Sequence, residues 1–136
     1  MENLYLEIVT PERIMVSQEV DVVVAPGTLG EFGVLKGHVP FLSGIVPGEI
    51  RYSSGGQTEY LAVSTGFAEV SDNKISVLVD TAEKSVDIDL TRAQRAMERA
   101  RQRLEKDRDN EGIDFLRVEV ALKRAIARIK VAEKAR

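Results

Sequence analysis

Cysteine is absent from the 136 residues and histidine occurs once, at His38. The first absence excludes disulfides and thiolate metal sites; the second excludes His-rich metal centres and leaves only carboxylates as cation ligands. No run of about 18 apolar residues occurs, so no membrane-crossing helix is expected. The opening Met1-Glu2-Asn3 lacks the basic stretch and apolar core of a signal peptide, and the expectation is a soluble, cytosolic chain. This inventory suits an enzyme poorly. With 43% hydrophobic residues, the chain can bury one modest core and at most a small second unit.

What is present is unevenly placed. The net charge is only -3, yet residues 1–89 hold 5 Lys/Arg against 14 Asp/Glu, a net -9, while residues 90–136 hold 14 against 8, a net +6. Two units with different partners are implied. The basic tail is suited to an acidic protein surface, a phosphate or a nucleic acid.

Up to about residue 80 the chain reads as short alternating or continuously apolar segments, rich in Val, Ile, Leu and Tyr. Candidate strands are Leu4–Val9, Val20–Val24, Phe32–Leu35, Glu49–Tyr52, Thr58–Val63, Phe67–Ser71 and Lys74–Val79. Pro11, Pro26-Gly27, Pro47-Gly48 and Gly55-Gly56 break them, and Asp72-Asn73 can take the positive φ of a two-residue hairpin turn. The class is all-β, sandwich or barrel.

From Asp89 the period changes to that of a helix. Leu90, Ala93, Met97, Ala100 and Leu104 form one narrow apolar seam, and Phe115, Val118, Leu122, Ala125, Ile129 and Ala132 form another. Asp89 is a credible N-cap for the first helix, Asp107 to Gly112 a stop and turn, and Asp114 a cap for the second. The two helices should fold back as an antiparallel hairpin. Their alanines allow close approach but hide little apolar area, so the hairpin is expected to be marginal and detachable.

Four glycines between Gly27 and Gly37 superficially suggest a phosphate-binding loop, but no Gly-Lys-Ser/Thr ending and no following helix accompany them. They read instead as turns and bulges around Phe32–Leu35, leaving Glu31 and His38 near exposed ends. A surface role is the bland reading of His38, since no nucleophile motif accompanies it.

That stretch, with Phe32-Gly33-Val34-Leu35 and His38-x-Pro40, is followed in order by Ala62-Val63-Ser64-Thr65-Gly66-Phe67-Ala68-Glu69-Val70, then Asp80-Thr81-Ala82-Glu83, then Ile88-Asp89-Leu90-Thr91-Arg92-Ala93. The whole chain resembles the epsilon subunits of bacterial F-type ATP synthases. The resemblance implies a ten-stranded β-sandwich at residues 1–86 for rotor coupling, and a regulatory helical hairpin at residues 87–136. It also implies a non-catalytic subunit of the F1 central stalk that couples the gamma subunit to the c-ring of Fo during proton-driven ATP synthesis. Glu31 and His38 are the implied c-ring contacts. Membrane association would be indirect, peripheral and on the cytoplasmic face of the inner membrane.

Arg92 and Arg99 share one face of the first helix, Arg124 and Arg128 one face of the second, and an antiparallel fold can bring them together. Guanidinium forks suit phosphate oxygens. The resemblance points to ATP as a regulatory ligand, with no cofactor required, held by Glu83, Ile88, Asp89, Arg92, Ala93, Arg99, Arg124 and Arg128. It implies as well that the hairpin extends toward the alpha and beta subunits and inhibits ATP hydrolysis, with Lys123, Arg124, Arg128 and Lys130 as inhibitory contacts. The bland alternative is a solvated basic face paired with Glu98, Glu105 and Glu119. A rival function, a basic helical-hairpin nucleic-acid-binding module, lacks a stacking platform because Phe115, the tail's only aromatic, sits in the seam. A carboxylate-pair enzyme using Glu31 and Asp72 has nothing in its spacing to single out an acid and a base.

Overall fold

The structure, a computed structural model, describes residues 3–106 and 113–135. The expected turn from Asp107 to Gly112 lies outside the described residues, as does the side chain of Asp114. Ten strands come first: β1 (Leu4–Val9), β2 (Ile14–Val20), β3 (Val22–Gly27), β4 (Gly30–Leu35), β5 (Phe41–Ile45), β6 (Gly48–Ser54), β7 (Gln57–Val63), β8 (Gly66–Ser71), β9 (Lys74–Val79) and β10 (Ala82–Lys84). A single 3-10 turn, Ser85–Asp87, leads into α1 (Leu90–Lys106) and α2 (Ile113–Glu133).

The strands form a sandwich from one continuous ladder in the order β10-β7-β6-β3-β5-β8-β9-β1-β2, with β4 added to β3. The ladder passes from one layer to the other at the end of β3, where Gly27 pairs with Ile45 of β5. Only glycine fits there: a Cβ on Gly27 would stand 2.8 Å from the Gly30 carbonyl oxygen and 2.9 Å from the Phe32 ring. Between the layers Leu6, Ile8, Val23, Ile50, Leu61 and Ile75 are fully buried in one cluster. Each such side chain contributes about 1.5–3 kcal/mol relative to exposure.

Seven strands were expected from periodicity, and three more are present. The apolar run Val20–Val24 is two strands that bend at Asp21, whose N–H donates to the Ser53 carbonyl at 2.8 Å and whose carboxylate accepts the Gly55 N–H at 3.1 Å. Strand β2 escapes the pattern because it is an edge strand paired only with β1, and only Val16 and Val20 of it are buried. Strand β5 contains Ser43 and Gly44, and β10 is three residues long. Asp72 and Asn73 take φ of 52° and 60°, the hairpin geometry their residue types favour.

Asp89 caps α1: its Oδ1 accepts the Arg92 N–H at 3.0 Å. Ala93 and Ala100 of α1, and Val118 and Ala125 of α2, are buried as the seams require. Helix α2 also buries Ala127 and Val131 and packs on β6 and β7. Its second apolar face is therefore spent on the sandwich, a use the seam alone does not reveal.

Candidate functional site

The hairpin meets the sandwich at a small apolar cluster: Ala62 from β7, Ile88, Ala93, Val131 and Ala132, bordered by Tyr60, Leu90 and Ile129. Residues near the start of α1 thus meet residues near the end of α2, as an antiparallel pair demands. Ile88 and Ala93 are 2% and 0% exposed. Their side chains brace the hairpin against β7, and Asp89 between them caps the helix. The motif therefore builds the scaffold from which Arg92 projects, exposed, into the groove beyond.

Beside that cluster, Arg128 reaches back to Glu83 on β10. Its Nε donates to Oε1 at 2.7 Å and its Nη2 to Oε2 at 3.2 Å, with the two side chains 19% and 36% exposed. Arg92, Arg124 and Arg128 line one groove with Glu83, of about 400 Å³, whose other wall is the sandwich. Arg124 and Arg128 also line a second groove, of about 570 Å³, between the helices, together with Arg99, Arg103 and Arg117. The expected cluster of Glu83, Arg92, Arg99, Arg124 and Arg128 is thus spread over two grooves that share two arginines. Arg103 and Arg117 extend it. Their spacing from Arg99 and Arg124, four and seven residues, carries the signal in the sequence. Among the described residues, Arg99, Arg103, Arg117 and Arg124 make no ion pair, whereas Arg101 pairs with Glu98 and Lys123 with Glu119. Arg101 and Lys123 pair as the solvated-face alternative expects, while Arg99, Arg103, Arg117 and Arg124 are exposed and gathered along the grooves.

The opposite layer presents a different surface. Leu42 on β5, Phe67 on β8 and Leu78 on β9 are exposed, and register places them on one outward face, with Phe67 directly opposite Leu78 and Gly44. Alternation with the buried Ala68 and Val77 leaves these large side chains outside, where composition alone could not locate them.

The family model for the ATP synthase delta/epsilon chain β-sandwich domain matches residues 3–85, and that for its long α-helix domain matches residues 87–133. The chain belongs to the ATP synthase delta/epsilon family. Similar proteins are the ATP synthase epsilon chains of Nitratidesulfovibrio vulgaris strain DP4, 49% identical over 96% of either chain, and of Syntrophobacter fumaroxidans, 48% identical over 98% of either chain. That of Geobacter sulfurreducens is 46% identical over 98% of this chain and 96% of its own. A chain in the cryo-EM structure of the Euglena gracilis mitochondrial ATP synthase OSCP/F1/c-ring shares the fold with a TM-score of 0.79 at 24% identity, over 98% of this chain and 80% of that one.

Membership makes the chain a component of an ATP synthase and favours that reading over the nucleic-acid one. Among the described residues β4 pairs with β3 alone, so it is an edge strand of the sandwich. Glu31 stands at the start of β4, paired in register with Pro26, and its carboxylate takes Arg51 Nη1 at 3.1 Å and Nη2 at 3.3 Å. Those hydrogen bonds are the main reason the Arg51 guanidinium holds its proton more firmly than usual. His38 lies past the other end of β4, with its ring edge-on to Phe41 at 5.8 Å and Nδ1 2.7 Å from the Val39 carbonyl. Asn73 fixes this loop by accepting the Gly37 N–H at 2.7 Å. The four residue steps from Glu31 to Leu35 span roughly 13 Å of strand, so Glu31 and His38 share an edge without forming one contact point.

The four cations expected to serve inhibition divide likewise. Arg124 and Arg128 face the grooves described above, whereas Lys123 and Lys130 line a separate groove against Glu31 and Glu49. Glu49 also holds Lys134 at 3.7 Å, and that ammonium sits 4.8 Å from the Tyr60 ring centroid.

Proposed function

We propose that this chain is the non-catalytic epsilon subunit of a proton-driven F1Fo ATP synthase. Its sandwich couples the gamma subunit to the c-ring, and its hairpin acts as a brake on ATP hydrolysis that ATP holds in the folded-back position. The observation that carries the regulatory part is the convergence of Arg92, Arg99, Arg124 and Arg128 on two connected grooves at the hairpin, beside a docking cluster built largely of alanine. A triphosphate there neutralises guanidiniums that otherwise face one another. Ligand at a hundredfold over its dissociation constant stabilises the docked arm by about 2.7 kcal/mol, provided the extended arm does not bind it.

The coupling surfaces follow from chemistry. Leu42, Phe67 and Leu78 form the apolar face suited to the gamma subunit, while Glu31 and His38 supply a polar edge for the loops of the c-ring. Once extended, the arm presents Lys123, Arg124, Arg128 and Lys130 to acidic surface on the alpha and beta subunits. No helix among the described residues is long and apolar enough to cross a membrane; attachment is through the ring, at the cytoplasmic face of the inner membrane.

The test compares ATP hydrolysis by the complex carrying the full chain with that carrying residues 1–88. Faster hydrolysis after truncation at low ATP, with rotor coupling retained, is expected. Equal rates at low and at high ATP would remove the brake.

A further inference from the structure

Four charged side chains alternate in sign across the outer face of the sandwich. Glu49 and Arg51 stand two residues apart on β6 and so point the same way. Arg51 reaches over β3 to Glu31 on β4, and its Nη1 is shared, donating to Glu31 Oε2 at 3.1 Å and to Glu49 Oε2 at 3.3 Å. The other oxygen of Glu49 takes Lys134 Nζ at 3.7 Å, and that ammonium lies over the Tyr60 ring. Lys134 follows directly on α2, where its N–H donates to the Val131 carbonyl at 3.0 Å. The series thus runs from the β4 edge to the end of the arm, with two carboxylates balancing two cations. Glu31, 53% exposed, is open to a partner; Glu49, 18% exposed, is not.

We infer that Glu31, Arg51 and Glu49 form a relay that reports a cationic partner at the β4 edge to the end of α2. A cation that draws Glu31 away leaves Arg51 and Lys134 to share one carboxylate. The guanidinium fork can hold that carboxylate through two hydrogen bonds, whereas the ammonium is a point charge, so Arg51 takes Glu49 and Lys134 is released. While Glu31 is in place the opposite balance holds: its hydrogen bonds, ahead of those from Glu49, are the main cause of the firm protonation of Arg51. The inference rests on the c-ring proposal only for the identity of the partner, since every link from Glu31 to Lys134 lies within this chain. On that proposal, contact with the ring and docking of the arm are not independent: engagement at the β4 edge loosens the last turn of α2. Lys123 and Lys130 line the groove beside Glu31, so a direct attraction between that carboxylate and the arm is the rival explanation to be separated.

The experiment is NMR of the full chain without nucleotide, for the wild type, for Glu31→Gln, and for Glu31→Gln added to Arg51→Met and to Glu49→Gln. Seated over Tyr60 at 4.8 Å from the ring centroid, the Lys134 side chain carries an upfield ring shift on its ε-methylene protons. Glu31→Gln, although it removes no contact to Lys134, should move those protons toward the value of an exposed lysine. It should also speed amide exchange from Ile129 to Lys134 about two- to fivefold, the range set by an exposed ion pair. On either background the same substitution should add nothing, because the relay is already cut. The Glu49→Gln background gives this reading without altering Arg51, should loss of the guanidinium disturb β6. All of these signals are read in the chain alone, so their failure would leave the c-ring contact standing. A Lys134 shift and exchange rate unchanged by Glu31→Gln overturn the relay. So does an effect of undiminished size on the two backgrounds, which assigns it to direct attraction between Glu31 and Lys123 or Lys130.

Discussion

The Glu83–Arg128 pair allows the strength of hairpin docking to be worked out from geometry. Glu83→Gln keeps the shape of the side chain and removes its charge; Arg128→Met removes the guanidinium and keeps the stem. Hydrogen bonds to charged groups contribute about 1.5–3 kcal/mol when shielded, and exposed ion pairs about 0–1 kcal/mol. With two aligned contacts at 2.7 and 3.2 Å and side chains 19% and 36% exposed, this pair falls between those limits. A coupling of about 1–2 kcal/mol is expected, a factor of about 5–30 in the population of the undocked arm. The assay is native-state hydrogen exchange on the nucleotide-free chain in a double-mutant cycle, followed at α2 amides from Ala125 to Val131 and at β9 amides as internal reference. Exchange in α2 should accelerate by that factor in each single variant, with little further change in the double variant, while β9 is unaffected. The reasoning is refuted by a coupling below about 0.3 kcal/mol, the level at which independent sites add, or by equal acceleration in β9, which would mean that the pair supports the whole fold and not the docking of the arm.

Residues 1–86 alone should fold, because the buried cluster of the sandwich draws on nothing beyond Ala82; a fragment that is unfolded by circular dichroism while the full chain is folded contradicts a division at residues 86–87. Gly66→Ala should lower stability by on the order of 3 kcal/mol or more, since a Cβ there would meet the Leu78 carbonyl oxygen at 1.9 Å and the Val79 Cα at 2.7 Å, both backbone atoms of the adjacent strand; a melting temperature close to the wild type shows that the β8–β9 ladder can shift.

Local chemistry was legible where one residue type has one use. The positive φ at Asp72-Asn73, the cap at Asp89 and the helical seams follow from preferences that neighbours do not override. Strands β2 and β5 were not legible, because an edge strand with two buried residues and a strand interrupted by Ser43-Gly44 lack alternation. The site was half legible for a related reason. Spacing shows which arginines share a helical face, and so brings Arg92, Arg99, Arg124 and Arg128 together. It does not show what stands across a groove. That Glu12, Asp80 and Arg13 form the far wall depends on the strand order, which places the β1–β2 turn and the end of β9 beside β10 and the hairpin. Glu49, remote from the helices in sequence, likewise reaches Lys134 only through the docking of α2 on β6.

The division of labour between the two units follows from what each buries. The sandwich encloses leucine, isoleucine and valine from every strand of both layers except three-residue β10, which contributes Ala82. Opening it exposes many side chains together, each costing about 1.5–3 kcal/mol. The hairpin docks chiefly through Ala62, Ala93, Ala127, Ile88, Val131 and Ala132. An alanine offers only a methyl group, at about 0.8 kcal/mol per buried carbon, and part of that gain offsets the ordering of the interface. Ile88 and Val131 add about 1.5–3 kcal/mol each, so the 1–2 kcal/mol expected of Glu83–Arg128 and the roughly 2.7 kcal/mol available from a ligand at a hundredfold over its dissociation constant are sizeable fractions of what holds the arm. On the proposed regulation, occupancy of the groove then shifts the balance between the docked and the undocked arm. Nothing of that size can open the sandwich, so the proposed regulation asks a ligand to shift only the arm.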